Sequence, residues 1–283
     1  MPLTRIARSD RIRLPAMTAH YLDWPGEGPP IVLLHPNRTN ARVWDFVVEH
    51  STLGHRFIAP DARGHGLSSY PESGYGYDDY LGDLSALLDA LGVQRVHLVG
   101  AATGGNLALL WASRYPEAVE SLVVVDPGLS LDPGISRAVR EQMVREFRFP
   151  SFGEARARMP FSERWTEEMR DHYSRHSLQL LPDGQAQWRY HPAGVVATEH
   201  LLETPIWDRI SVRCPMLAVR GVASAVFPPQ RMQQLCRMVP GSRGVEIEAD
   251  HRVSQDNPRG LAALIDGFIA GLGAAGAPAR LSP

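Results

Sequence analysis

The chain has 283 residues, 44% of them hydrophobic and 21% charged, which is enough for one large globular domain with an insertion. Its formal net charge of -2 gives no reason to expect a nucleic acid or a membrane surface as a partner. Lysine is absent, so chemistry that needs a lysine Schiff base is excluded.

Short apolar runs alternate with helical patterns through the first 128 residues. An early strand is predicted at 16–24, as one half of a hairpin. Further strands are predicted at 30–35, 56–60, 95–100 and 122–126, with helices at 40–50, 78–91 and 103–115. Continuous apolar strands interleaved with helices predict an α/β fold with a mostly parallel, doubly wound sheet that is covered on both faces.

The pattern changes between residues 129 and 210, where arginine, glutamate and aromatic residues are frequent and no buried strand is evident. The alternation then resumes, with strands predicted at 215–220 and 244–248 and helices at 229–238 and 257–271. We therefore predict a core of residues 1–128 and 211–272 and an inserted helical cap of residues 129–210. The tail, residues 273–283, is rich in alanine, glycine and proline and is predicted to be disordered.

The first ten residues alternate charged and apolar side chains and lack the apolar centre of a signal peptide. No apolar run approaches the length that spans a membrane. A soluble, cytoplasmic protein is therefore expected, and a homo-oligomer is compatible with the sequence. Cys214 and Cys236 are too few and too badly spaced for a zinc site or a disulfide framework, and no metal or organic cofactor is implied.

A turn of small residues joins the predicted strand at 95–100 to the helix that follows. From Gly100 to Gly104 it reads GAATG, which matches the nucleophile-elbow pattern G-x-S-x-G except that Ala102 occupies the reactive apex. Such a turn strains its apex residue, and small neighbours allow the two backbones to approach each other. An alanine keeps the turn and removes the hydroxyl.

Three further motifs accompany the elbow in a fixed order. LLHPN at 33–37 is followed by Trp44, DARGHGLS at 61–68 matches D-x-R-G-x-G-x-S, and His251 stands after the last strand, just before Asp256. Together the four motifs resemble the α/β-hydrolase superfamily over about residues 15–272. The resemblance implies a capped serine hydrolase that works with a Ser-His-Asp triad.

The resemblance also implies which residues carry the chemistry. His251 is the expected general base. The commoner acid position of the family falls in the loop 220–228, which has no carboxylate, and other branches carry the acid at the position of Asp126. We therefore expect Asp126 to orient His251, ahead of Glu248 and Asp250, which lie closer to the histidine in sequence.

An oxyanion hole needs two backbone N–H groups, and the resemblance places them at Thr103 and Asn37. Thr103 begins a helix, where unpaired donors and the helix dipole both favour anions. Asn37 adds a side-chain amide that is a candidate to touch a carbonyl oxygen. Pro36 stands where the family usually has glycine, and it has no N–H. His35 and His65 are expected to make structural hydrogen bonds.

Aromatic residues of the predicted cap indicate an apolar pocket for a ring or an acyl chain. Trp188 is the first candidate for substrate binding, and Tyr190 and Trp44 are further candidates. The frequent arginines of the cap are expected on a solvated helix face. The partner is accordingly expected to be a small apolar or aromatic ester or lactone, and an acidic substrate is the less favoured alternative.

Three interpretations of Ala102 are open. In the preferred one, the chain is an ester or lactone hydrolase in an inactivated Ser-to-Ala form. In the second, alanine is natural, and a His251–Asp126 dyad serves a lyase, an isomerase or a water-activating enzyme. In the third, the chain is a non-catalytic ligand-binding homologue. C–C bond hydrolases are close in motif to ester hydrolases, and fold analogy does not separate them.

Overall fold

A computed structural model describes residues 3–145 and 147–275 of the chain. Its strands are β1 (Arg8–Arg13), β2 (Thr18–Trp24), β3 (Glu27–Leu34), β4 (His55–Pro60), β5 (Val96–Ala101), β6 (Val119–Val125), β7 (Arg148–Phe149), β8 (Leu178–Leu180), β9 (Ala186–Trp188), β10 (Met216–Gly221) and β11 (Arg243–Ile247). Its helices are α1 (Asp45–His50), α2 (Tyr77–Ala90), α3 (Thr103–Arg114), α4 (Pro133–Arg145), α5 (Phe152–Ala157), α6 (Glu167–Ser177), α7 (Pro192–Glu203), α8 (Pro229–Met238), α9 (Val253–Asp256) and α10 (Pro258–Ala275).

The central sheet has eight strands in the order β1-β2-β4-β3-β5-β6-β10-β11. β1 and β2 form an antiparallel hairpin, and β2 also pairs antiparallel with β4. The remaining pairs, from β4 across to β11, are parallel. The predicted mostly parallel α/β sheet is thus confirmed, and so is the hairpin at the start of the chain.

Side chains of the central strands alternate between two apolar layers. Leu98 of β5 and Val124 of β6 pack into a cluster that also holds residues of α2, α3 and α8. Their neighbours Val99 and Val123 point to the opposite cluster, which holds residues of α1 and α10. Full burial of each such side chain stabilises the fold by about 1.5–3 kcal/mol. Burial on both faces explains why these strands read as continuous apolar runs.

The cap lies between β6 and β10 and contains α4, α5, α6 and α7. It also contains a three-stranded antiparallel sheet in the order β7-β9-β8, which the prediction of a helical cap did not include. These strands are two or three residues long. Such short strands show no alternation of apolar and polar residues, which is why the sequence pattern gave no sign of them.

The C-terminal helix α10 ends at Ala275, so residues 273–275 of the predicted tail belong to a helix. Residues 276–283, the rest of that predicted tail, lie outside the described residues. Within the part of the chain that the structure describes, no helix combines the length and the apolar character needed to cross a bilayer.

Candidate active site

The turn between β5 and α3 has the geometry of a nucleophile elbow. Ala102 sits at its apex with φ 49° and ψ -116°, and its N–H donates to Val125 O at 2.9 Å. A Cβ added to Gly104 would lie 2.2 Å from Leu34 O, and one added to Gly100 would lie 2.1 Å from Gly104 O. The glycines are therefore required because backbones of β3, β5 and α3 meet at this turn.

Backbone strain is concentrated around this turn. Among the described residues, those other than glycine with positive φ are Arg38 (65°), Ala102 (49°) and Asp126 (47°). They follow the C-terminal ends of β3, β5 and β6, which are neighbours in the sheet. Each costs roughly 1–3 kcal/mol, and such strain typically gathers where a fold positions reactive groups. The conformation at Ala102 is kept although the residue has no reactive atom.

His251 and Asp126 meet across 125 residues of sequence. Nδ1 of His251 lies 2.8 Å from Oδ1 of Asp126, and the pair joins the loop after β11 to the end of β6. With its Nδ1–H donated to the carboxylate, the ring keeps Nε2 for proton transfer. The His251 side chain is 33% exposed, whereas that of Asp126 is fully buried. The sequence-predicted dyad is thus brought together in space.

Two further donors hold the Asp126 carboxylate. Ser224 Oγ donates to Oδ1 at 2.5 Å, and the Gly221 N–H donates to Oδ2 at 2.9 Å. These bonds compensate the desolvation of a fully buried charge and fix its orientation toward His251. Asp250 instead accepts from the backbone N–H of His251, at 2.7 Å. It contacts the main chain of the histidine, as an adjacent residue is expected to do.

The predicted oxyanion donors lie on two sides of the elbow. Thr103 is the first residue of α3, and Asn37 follows the end of β3. Within residues 3–145 and 147–275, neither backbone N–H donates to a carbonyl. Nδ2 of Asn37 donates to Glu199 Oε1 at 2.8 Å and to Val195 O at 3.3 Å. The side-chain amide, a sequence candidate for contact with substrate, is therefore engaged by α7 of the cap.

His35 and His65 support the loops around the site. The Ala62 N–H donates to Nε2 of His35 at 2.9 Å, while the Nδ1 atom of His35 lies 2.7 Å from Pro36 O. Nδ1 of His65 lies 2.9 Å from Arg63 O, and its Nε2 lies 2.9 Å from Asn37 Oδ1. Burial lowers the pKa of His35 and lowers that of His65 to about 3, so both rings are neutral at pH 7.

The three predicted substrate contacts have different surroundings. Trp44 is fully buried in the core cluster beside α1 and α10, so its prediction as a substrate contact is wrong. Its spacing after the first loop gave no means to distinguish a core residue from a pocket residue. Trp188 and Tyr190 lie in the cap with stacked rings, 6.0 Å apart and inclined by 11°. Tyr190 also pairs with His65 through a backbone bridge, which places it beside the loop of Asn37.

The profile of the α/β-hydrolase fold matches residues 29–258 of the chain. The chain belongs to the α/β-hydrolase family. An esterase of Mycobacterium tuberculosis is 29% identical over 274 residues, or 92% of this chain and 88% of the esterase. An N-formylmaleamate deformylase of Pseudomonas putida is 30% identical over 266 residues, or 90% of this chain and 91% of the deformylase.

Structural similarity agrees with this assignment. The crystal structure of E-2-(acetamidomethylene)succinate hydrolase superposes on 93% of this chain and 99% of its own, with a TM-score of 0.84 and 25% identity. The family and the two relatives, an esterase and a deformylase, identify the chain as a hydrolase. The resemblance read from four short motifs is thereby confirmed at the level of family and fold.

Two residues of the α/β-hydrolase site were not predicted from the sequence. Ser224 lies in the loop 220–228, which has no carboxylate, and its role as a donor to Asp126 depends on where this loop meets the end of β6. Glu199 lies on α7 and is 4% exposed, but no local pattern separates it from the other glutamates of the cap. A polar residue at a predicted strand end was a usable signal for Ser224, whereas Glu199 had none.

Proposed function

We propose that this α/β-hydrolase cleaves small carboxylic esters or lactones, and that the chain is its Ser-to-Ala form at position 102. One observation carries the proposal. The His251–Asp126 pair, with 2.8 Å between Nδ1 and Oδ1, accompanies an elbow that still holds its apex at φ 49°. A strained apex and an oriented imidazole serve a nucleophile in this family, and neither is needed to pack an alanine methyl group.

The geometry supports the following sequence of steps for a serine at position 102. The serine oxygen attacks the carbonyl carbon while Nε2 of His251 takes the hydroxyl proton. Negative charge develops on the carbonyl oxygen and is met by the N–H groups of Asn37 and Thr103. The tetrahedral intermediate collapses, His251 protonates the leaving oxygen, and the C–O bond breaks. Water then attacks the acyl-enzyme by the same route, which releases the acid and restores the serine.

Similarity to the esterase supports the ester branch of the proposal, since that relative aligns along 92% of this chain. The deformylase, at 30% identity, makes C–N cleavage the nearest alternative and a necessary arm of any substrate screen. We further propose that the stacked Trp188–Tyr190 pair lines the acyl side of the pocket. A cytoplasmic location and a homo-oligomeric state remain predictions.

The deciding experiment restores the missing hydroxyl. Ala102→Ser is expected to raise turnover of activated esters and lactones by about a million-fold, because loss of a triad nucleophile typically costs that much. Ala101→Ser is the matched control, since it adds the same hydroxyl one residue before the apex and should give no gain. Both variants are compared with the unmodified chain by steady-state kinetics, with circular dichroism to verify folding.

A folded Ala102→Ser variant without any gain would contradict the proposal. In that case His251→Ala in the otherwise unmodified chain separates the two remaining interpretations. Loss of a measurable lyase, isomerase or hydration activity would identify a natural His251–Asp126 dyad that needs no serine. Ligand binding that His251→Ala leaves unchanged, with no product at high protein load, would identify a binding protein.

A further inference from the structure

A guanidinium without an ion-pair partner lies beside the oxyanion loop. Arg38 follows Asn37 directly and has a left-handed backbone (φ 65°). Its backbone N–H donates to Asn37 Oδ1 at 3.1 Å and to His65 Nε2 at 3.3 Å, and these hydrogen bonds stabilise the conformation. The Arg38 side chain is exposed and pairs with no carboxylate in the described part of the chain. Nearby Arg42, in contrast, reaches Asp45 at 3.4 Å. The strained loop therefore presents Arg38 as an uncompensated cation.

A phenol hydroxyl without a partner lies on the cap side of the same loop. Tyr190 is 4% exposed, and its ring packs against Trp188 and Phe147. Its hydroxyl forms no hydrogen bond with any of the described residues. A tyrosine O–H can donate one hydrogen bond and accept others, and it usually finds a partner. This hydroxyl is therefore available to a ligand.

Contacts through His65 connect the loop of Arg38 with Tyr190 of the cap, and electrostatic effects agree with this placement. Arg38 opposes the increase that burial causes in the pKa of Tyr190, and it contributes to the lowered pKa of Arg252, for which burial is the larger cause. Arg252 follows His251 and is itself engaged, since it donates to Pro160 O and lies 4.9 Å from the Trp165 ring centroid. The Arg38 N–H lies 3.3 Å from Nε2 of His65, and His65 pairs with Tyr190 through a backbone bridge, so Arg38 and Tyr190 flank the same histidine.

We propose that Arg38 and Tyr190 form a subsite for a carboxylate group of the substrate, so that the ester or lactone cleaved here is an anion. This inference rests on the proposed function and names its substrate class. A carboxylate accepts both a guanidinium fork and a phenol O–H, which is the donor set that these two side chains leave unused. It revises the sequence expectation of an uncharged, apolar substrate.

Glu199, a buried acid of α7 that contacts the oxyanion loop, is already engaged. Glu199 uses Oε1 to accept the Asn37 amide at 2.8 Å, and it forms no ion pair with Arg38. Its carboxylate belongs to the contact between α7 and the oxyanion loop. A substrate anion would therefore meet the Arg38 charge without displacing a protein carboxylate from it.

The test compares two esters of nearly equal shape with the Ala102→Ser variant. Methyl hydrogen succinate carries a carboxylate where methyl 4-oxopentanoate carries an uncharged acetyl group. Arg38→Gln is expected to lower kcat/KM for the charged ester by about 30-fold, mainly through KM, because it removes a charge-assisted hydrogen bond. It should leave the uncharged ester within about 2-fold. Tyr190→Phe should act in the same direction by about 5-fold. Arg42→Gln, four residues further along in the helical turn Ala41–Trp44, is the matched control.

A binding measurement makes the outcome independent of turnover. The unmodified chain is titrated calorimetrically with methyl hydrogen succinate, which it is not expected to cleave. Arg38→Gln should weaken binding by about 30-fold, and added salt should weaken binding to the unmodified chain. Equal affinity before and after Arg38→Gln, or no preference for the charged ester, would overturn the subsite. If Ala102→Ser cleaves no ester at all, the proposed function fails, and the titration still decides whether Arg38 binds carboxylates.

Discussion

The acid–base side of the site and the oxyanion side are held by different parts of the molecule. Asp126 and His251 are fixed inside the core, by Ser224 and by the backbone of Gly221. Asn37 is held by the cap, through the Glu199 carboxylate and a carbonyl of α7. The first arrangement persists whenever the sheet is folded. The second depends on the hydrogen bonds between the Asn37 side chain and α7.

The core and the cap therefore hold different parts of the proposed active site. In the proposed mechanism, the core supplies a proton acceptor that is hydrogen-bonded and oriented before any substrate arrives. The cap helix α7 holds the loop that carries the proposed oxyanion donor Asn37. Stabilisation of the transition state would then depend on the contact between α7 and this loop, and the following predictions test that link in the Ala102→Ser background.

The largest effect is expected on the core side. His251→Ala should lower kcat by about a million-fold, because the general base is lost. Asp126→Asn should lower it by about ten-thousand-fold, because the imidazole is no longer held in the productive tautomer. Initial rates on an activated ester give both values. His200→Ala, which alters an exposed histidine of the cap, is the control and should leave kcat unchanged. A loss below about 10-fold for either core variant would contradict the assignment.

An intermediate effect is expected where the cap holds the oxyanion loop. Glu199→Ala should lower kcat by about 10- to 100-fold with little change in KM, since one poorly held donor weakens oxyanion stabilisation. Glu199→Gln keeps an acceptor for the Asn37 amide and should retain most of the activity. The measurement is a kcat and KM comparison at saturating ester.

The control for that prediction lies one turn further along α7. Glu203 forms an ion pair with Arg140 and so joins α7 to α4 within the cap, but it forms no hydrogen bond with Asn37. If Glu203→Ala lowers kcat as much as Glu199→Ala does, the effect belongs to cap packing in general. The specific link between α7 and the oxyanion loop would then be wrong.

A smaller effect is expected at the second donor to the acid. Ser224→Ala removes the 2.5 Å hydrogen bond to Asp126 and should lower kcat by about 5- to 10-fold, because His251 is then oriented less firmly. Ser224→Thr keeps the hydroxyl and should behave like the parent. Thermal unfolding of both variants is followed in parallel. An unchanged kcat for a folded Ser224→Ala protein would remove Ser224 from the positioning role.

The smallest effect is expected in the pH dependence of stability, on the oxyanion side. Burial lowers the pKa of His65 to about 3, whereas the unfolded chain titrates near 6.5, so the unfolded state binds more protons between these values. The free energy of unfolding should therefore fall as pH drops below 6.5, by at most about 1.4 kcal/mol per pH unit for this group. Urea unfolding of the unmodified chain and of His65→Gln from pH 7.5 to 5 measures it. Equal slopes for the two would contradict the prediction.

The sequence by itself determined the sheet, the elbow and the acid–base pair. Continuous apolar runs such as β5 and β6 indicate strands buried on both faces, because such strands do not alternate apolar with polar side chains. Gly100 and Gly104 indicate a turn at which the backbones of neighbouring elements come into contact. Asp126 and His251 were expected from the resemblance to the α/β-hydrolase superfamily, and the position of Asp126 at the carboxyl end of a parallel strand, where ligands bind, supported that expectation.

The tertiary structure alone decided what surrounds that pair. Trp44 proved to be a core residue, and the strands of the cap were too short to leave a pattern. The contact of Asn37 with Glu199 joins residues more than a hundred positions apart in the sequence. The unpaired state of Arg38 depends on the lack of a carboxylate beside its side chain among the described residues. Local sequence patterns indicate the backbone preference and the burial of a segment. Contacts between side chains of different loops depend on the tertiary fold, which brings segments distant in sequence together.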